Sequence, residues 1–186
     1  MKKITKSDLI ILIVTIIAAI GAVVTVCLMN FLPDKIPMLD KDFGVNLLDS
    51  SFCYNSTELY EYLGKLNNSG LNTLLQIHSI DYLFMICVLV LEVGAVLLLS
   101  NRKFWLIFIN AFAFLEFLFD LSENVMLDLV IKALPDKKPL LSSICGGMTC
   151  CKWIFTILYL VSFFVAVGYL VFKNVKQKKA SEQSKE

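Results

Sequence analysis

IDYLFMICVLVLEVGAVLLLSNRKFWLIFINAFAFLEFLFDL, residues 80–121, decides the fold. Two long apolar runs, 80–100 and 104–121, are joined by Asn101-Arg102-Lys103, a tight turn that is polar and basic. A helix rises 1.5 Å per residue, so roughly 20 residues cross a hydrocarbon core of about 30 Å. The first run has that length outright. The second is shorter and then acquires Asp120, Glu123 and Asp128, yet it keeps helix-compatible residues to Leu134. It predicts one long helix with a polar outer end, extending to about residue 134 and closed by Pro135.

Two further runs flank this pair, 9–29 and 153–172. The chain of 186 residues is 58% hydrophobic and 18% charged, with a mean hydropathy of +0.74. Ordinary soluble domains are about 45–50% apolar and about 25% charged, so both quantities point to a membrane protein. The expected fold is all-α, a four-helix transmembrane bundle forming one domain over residues 1–172. Lys2 and Lys3 ahead of the first run raise the alternative of a signal peptide. However, the apolar stretch exceeds the usual 7–15 or so residues and no small-residue cleavage site follows. In Val24-Thr25-Val26-Cys27, Val also stands where a lipoprotein signal needs a small residue before the Cys. The first run is therefore expected to be an anchor.

Basic residues set the orientation. With both termini inside, the cytoplasmic segments carry ten Lys or Arg residues, including Lys2, Lys3, Lys6, Arg102 and Lys103, against Asp8, Glu182 and Glu186. The opposite side holds more acids than bases. Short Lys- and Arg-rich loops stay in the cytoplasm, so both termini are expected there, with loops 30–79 and 122–152 outside and the plasma membrane as the location. Trp105 and Trp153 fall near the inner and outer edges, where interfacial aromatics are favoured. The tail, 173–186, is basic and has no aromatic, and is expected to be disordered. A net charge of +1 argues against nucleic acid as a partner. The lipid bilayer is the partner that the composition implies. One His and no Gly-rich phosphate loop remove most familiar soluble enzyme classes, and no cofactor motif is visible.

The first outer loop has structure of its own. Asn55-Ser56-Thr57-Glu58 reads as a capping box, and Leu59, Tyr60, Leu63 and Leu66 recur at helical spacing up to Asn67-Asn68-Ser69-Gly70. This predicts a short amphipathic helix on the outer surface of the bundle. Asn55 and Asn67 also head glycosylation sequons. Cys53, Cys145, Cys150 and Cys151 lie outside, where disulfides are permitted, and four thiols allow three pairings. A bridge from Cys53 to the second loop would clamp the two loops together. Paired CxxC knuckles are absent, so no metal site is expected.

The ionisable residues near the hydrocarbon carry the functional signal. Counted at 1.5 Å per residue from each inner end, Glu116 lies about 18 Å up, Asp120 about 24 Å, Glu123 about 28 Å and Asn124 about 30 Å. Glu92 lies about 12 Å up, Asp81 about 28 Å and Lys152 about 30 Å, with His78 just above. Three helices thus bring Asp81, Asp120, Glu123, Asn124 and Lys152 to one outer level, while Glu92 and Glu116 share a level near the midplane. Glu116, Asp120, Glu123 and Asn124 form a single stripe, and His78, Asp81 and Tyr82 form another. A carboxylate at the bilayer centre costs about 2.5–3.5 kcal/mol on insertion scales, so it should face the interior, pair, or stay protonated.

Asp120-Leu121-Ser122-Glu123-Asn124 resembles the D-x-x-E-N signature of a family of small four-helix integral membrane proteins of unassigned function. Leu39-Asp40, Tyr54, Tyr62-Leu63-Gly64 with Gly70, Asp81-Tyr82-Leu83-Phe84 and Lys152-Trp153 follow in that family's order, a patchy match over about residues 38–165. Leu71 stands where that family carries Arg, and 44–52 is longer than usual. The resemblance strengthens the site and leaves its chemistry open. Tetraspanins and claudins fit less well: Lys152, not Gly, follows Cys150-Cys151, and Cys53 stands alone in a loop without Trp.

Three roles follow. The bundle binds a small amphiphile or ion between the second, third and fourth spans, with Asp81, Asp120, Glu123, Asn124, Lys152 and His78 around the site. Alternatively, Glu123 or Asp120 acts as an acid/base, Lys152 holds developing negative charge and His78 assists. Otherwise the chain is an accessory subunit whose outer loops contact a partner. The plain structural reading of the cluster stands beside all three: a buried ion pair with an amide, fixing helix register at about 0.6 kcal/mol per contact.

Overall fold

The computed structural model describes residues 5–32, 34–45, 47–99 and 103–183. Lys2, Lys3, Arg102 and residues 184–186 lie outside the described residues, as do the side chains of Lys103, Trp105, Lys178, Lys179 and Glu182. Among the described residues the fold is all-helical. Its α-helices are α1 (Lys6–Phe31), α2 (Ile36–Phe43), α3 (Ser56–Gly64), α4 (Asn68–Leu99), α5 (Lys103–Ala133) and α6 (Pro139–Gln183), with a 3₁₀ turn at Leu48–Ser50. Lys6–Phe43, Asn68–Leu99 and Pro139–Lys173 contain helices long and apolar enough to cross a membrane. α5 is 31 residues long and carries the polar stripe.

The long helices pack in the order α1 on α4, α4 on α5 and α5 on α6. Thr5 opens α1 with a capping box: its Oγ1 accepts from the Asp8 amide at 3.1 Å, and Asp8 Oδ2 accepts from the Thr5 amide at 2.9 Å. The buried stripe of α1 is Thr15, Ala18, Ala22, Thr25 and Met29, mostly small residues that let backbones approach. The closest approach is at Gly94 of α4, where an added methyl would strike the Thr15 side chain. The opposite faces are apolar and bare. Ile17 is 63% exposed, and Ile10, Val23, Phe164 and Val165 are exposed with it.

A second core gathers the loops over one end of these helices. Leu39 of α2, Leu59 and Leu63 of α3, Leu74 and Ile77 of α4, and Leu127 and Val130 of α5 are buried together. At about 1.5–3 kcal/mol per fully buried side chain, this cluster holds the first loop against the bundle. Asn55 caps α3 as the sequence predicts. Its Oδ1 accepts from the amides of Thr57 and Glu58, while Glu58 Oε2 accepts from its own amide at 2.8 Å. Asn67 Oδ1 accepts from the Gly70 amide at the start of α4. Both sequon asparagines are therefore exposed helix caps.

Three expectations need correction. The loop around residues 36–43 contains α2, which ends at Gly44 in the left-handed region with φ 62°. Residues 139–152, expected within an outer loop, are helix, since α6 begins at Pro139, whereas α5 runs to Ala133 as the sequence predicts. Proline is favoured in a first helical turn, where its missing N–H costs nothing. The tail expected to be disordered continues α6 as helix to Gln183. Lys, Gln, Ala and Glu are good helix formers, and adding residues to an existing helix avoids the cost of nucleation.

Candidate functional site

The structure brings the predicted polar residues together in two tiers of different character. The upper tier is closed. Glu123 of α5 has no exposed surface, and its Oε2 lies 2.7 Å from Lys152 Nζ of α6. The same ammonium lies 3.1 Å from Asp120 Oδ1. Glu123 Oε1 accepts from Thr149 Oγ1 at 2.6 Å and from the Tyr54 hydroxyl at 3.3 Å. Cys145 Sγ lies 3.0 Å from that hydroxyl and donates to the Glu123 carbonyl at 3.4 Å. Burial, with the Glu123 carboxylate alongside, pushes the Tyr54 phenol far above its ordinary range, so Tyr54 keeps its proton.

Two ties join α4 to α5 at this height. Asn124 Nδ2 donates to Asp81 Oδ2 at 2.5 Å, and Asn124 is fully buried. His78 Nδ1 lies 2.7 Å from Asp128 Oδ1, and the Tyr82 hydroxyl donates to Asp128 Oδ2 at 3.2 Å. Glu123 and Asn124 thus spend their polar atoms largely on neighbouring helices, as the plain structural reading of the cluster expects.

The lower tier is a cavity of about 320 Å³ between α4, α5 and α6. Asp81 and Glu92 of α4, Glu116 and Asp120 of α5, and Lys152 of α6 line it, so the two levels expected from sequence share one space. Its remaining wall is mainly apolar and aromatic, with Phe84, Met85, Leu89, Phe117 and Trp153. Glu116 Oε2 is buried with no hydrogen-bond partner. A second cavity of about 470 Å³ lies beside α1 and α2 and includes His78. Ser50, Asp81 and Phe84 border both.

Above the cavity the chain is stapled. Cys53 is disulfide-bonded to Cys150 with Cα atoms 4.9 Å apart, whereas Cys145 and Cys151 are free thiols. The Cys53 segment crosses α6 at Gly146, where an added methyl would strike the Tyr54 carbonyl. Ser56 Oγ meets Ser142 Oγ at 2.5 Å in the same crossing.

Asp128, Thr149 and Thr156, the last of which lines the cavity, escaped the sequence reading as site residues. Asp128 continues the stripe one turn beyond Asn124, which is a legible signal. Thr149 and Thr156 sit a turn to either side of Lys152, but a lone Thr in an apolar helix does not distinguish itself. Among the described residues no three His, Cys, Asp or Glu side chains converge to hold a metal ion. No protein-family model matches the chain, and neither does any curated protein or solved structure.

Proposed function

We propose that the chain is a four-pass integral membrane protein that binds a small amphiphile in the cavity between α4, α5 and α6. In this reading α1, α4, α5 and α6 cross the bilayer, both termini face the cytoplasm, and α2, α3 and the disulfide lie outside. The bare apolar faces of the long helices support the membrane setting. The basic turn and tail support the orientation.

The cavity carries the functional part. Its volume falls within the roughly 300–1,000 Å³ of small-molecule sites, and it combines an apolar wall with a few convergent polar groups. A bare ion would leave the apolar part of that wall uncovered. An amphiphile finds both surfaces it needs. Acid/base chemistry on Glu123 gains little support, because that carboxylate is wholly enclosed by Lys152, Thr149 and Tyr54.

Native mass spectrometry of the protein extracted from its membrane tests the reading. A lipid-like mass should accompany the wild type, disappear in Val88→Phe, which fills the cavity, and persist in Leu83→Phe, where the side chain is exposed. An unaccompanied wild type, or a bound mass indifferent to Val88→Phe, overturns it.

A further inference from the structure

We infer that the amphiphile is cationic, a single-chain amine whose ammonium sits between Glu92, Glu116 and Asp120 with its chain along the aromatic wall. The inference rests on the binding reading above and names its ligand class.

The first ground is charge. Four carboxylates line the cavity, Asp81, Glu92, Glu116 and Asp120, and Lys152 is the one basic side chain among its lining residues. That ammonium already lies between Asp120 and a fifth carboxylate, Glu123, at 3.1 and 2.7 Å. A headgroup bearing phosphate or carboxylate would add negative charge to a space in which acids already outnumber bases. An ammonium supplies the missing sign, and in low dielectric such a pairing is worth far more than in water.

The second ground is the orphaned oxygen. Glu116 Oε2 is buried without a hydrogen-bond partner while its residue borders the cavity. Buried acceptors of this kind are costly unless a donor reaches them. An ammonium has N–H donors to offer and needs no acceptor in return. The third ground is the wall itself. Phe84, Phe117 and Trp153 surround the space, and aromatic faces attract cations while also covering an alkyl chain. A hydrated metal ion would leave the apolar wall uncovered, and no metal-holding group of side chains exists among the described residues.

The test uses the full-length protein in lipid nanodiscs and three probes of one chain length, decylammonium, decanol and decanoate. Thermal unfolding followed by tryptophan fluorescence should show a midpoint several degrees higher with the ammonium than with either other probe. Glu92→Gln combined with Glu116→Gln should abolish that difference. Because this variant replaces two buried acids by neutral isosteres, it should fold. A wild-type measurement stands beside it: the ammonium, and not decanoate, should displace the mass seen in native spectra. If decanol or decanoate raises the midpoint equally and Val88→Phe removes the effect, the cavity binds amphiphiles but does not select cations, and the inference fails alone. If no probe moves the midpoint, the inference fails too, while the native spectra decide the binding reading separately.

Discussion

Lys152 of α6 meets Glu123 of α5 at 2.7 Å, and the carboxylate it meets has no exposed surface. Asp120 lies on the same ammonium at 3.1 Å, so one cation holds two acids of a single helix stripe. Breaking such a buried pair from one side typically costs about 3–5 kcal/mol, because the abandoned charge stays buried. Lys152→Met should lower stability by that order, measured by reversible unfolding in mixed micelles. Adding Glu123→Gln and Asp120→Asn should restore most of the loss. Full stability of the single variant would show that the contact holds nothing.

The staple between Cys53 and Cys150 closes a sequence separation of 97 residues. Disulfides of this kind usually contribute about 2–4 kcal/mol, chiefly by restricting the unfolded chain. The double variant Cys53→Ser/Cys150→Ser should unfold earlier by that amount. Cys145→Ser and Cys151→Ser should leave the non-reducing gel mobility unchanged. A mobility shift with Cys151→Ser alone would assign the bridge to a different pair.

Gly146 and Gly147 are neighbours with opposite expectations. A methyl at Gly146 strikes the Tyr54 carbonyl, whereas one at Gly147 meets nothing within 4 Å. Gly146→Ala should destabilise by about 1–3 kcal/mol, as overpacking does. Gly147→Ala should stabilise by up to about 1 kcal/mol, since alanine is the better helix former. Equal effects in thermal unfolding would remove the close crossing.

Phe52 is exposed beside the disulfide, and Lys176 is exposed near the far end of α6. In intact cells a membrane-impermeant maleimide should label Phe52→Cys and spare Lys176→Cys until the membrane is opened. Labelling in the reverse order would invert the proposed topology.

The end of α5 was legible because the chain announces it, with Leu134 and Pro135 closing an unbroken helical run. α3 was legible through Asn55 and Glu58, which satisfy each other's backbone amides. The start of α6 was not. Ser142-Ser143 and Gly146-Gly147 read as loop, yet Ser142 finds Ser56 and Gly146 makes room for Tyr54, both tertiary partners invisible to local propensity. The spacing of Glu116, Asp120, Glu123 and Asn124 places them in one stripe of α5, and angle alone says no more. Height divides it: Glu116 and Asp120 border the cavity, while Glu123 and Asn124 are consumed by contacts one turn higher. Only neighbouring helices make that distinction, so residue type could not.

α6 runs unbroken for 45 residues, about 68 Å at 1.5 Å each, more than twice the thickness of the hydrocarbon it is proposed to cross. The backbone that presents Lys152 to the cavity and the backbone that carries the basic tail are thus one stiff rod. A twist applied to its cytoplasmic end would reach Lys152 as a lever reaches its load, with no flexible joint between them to absorb the motion.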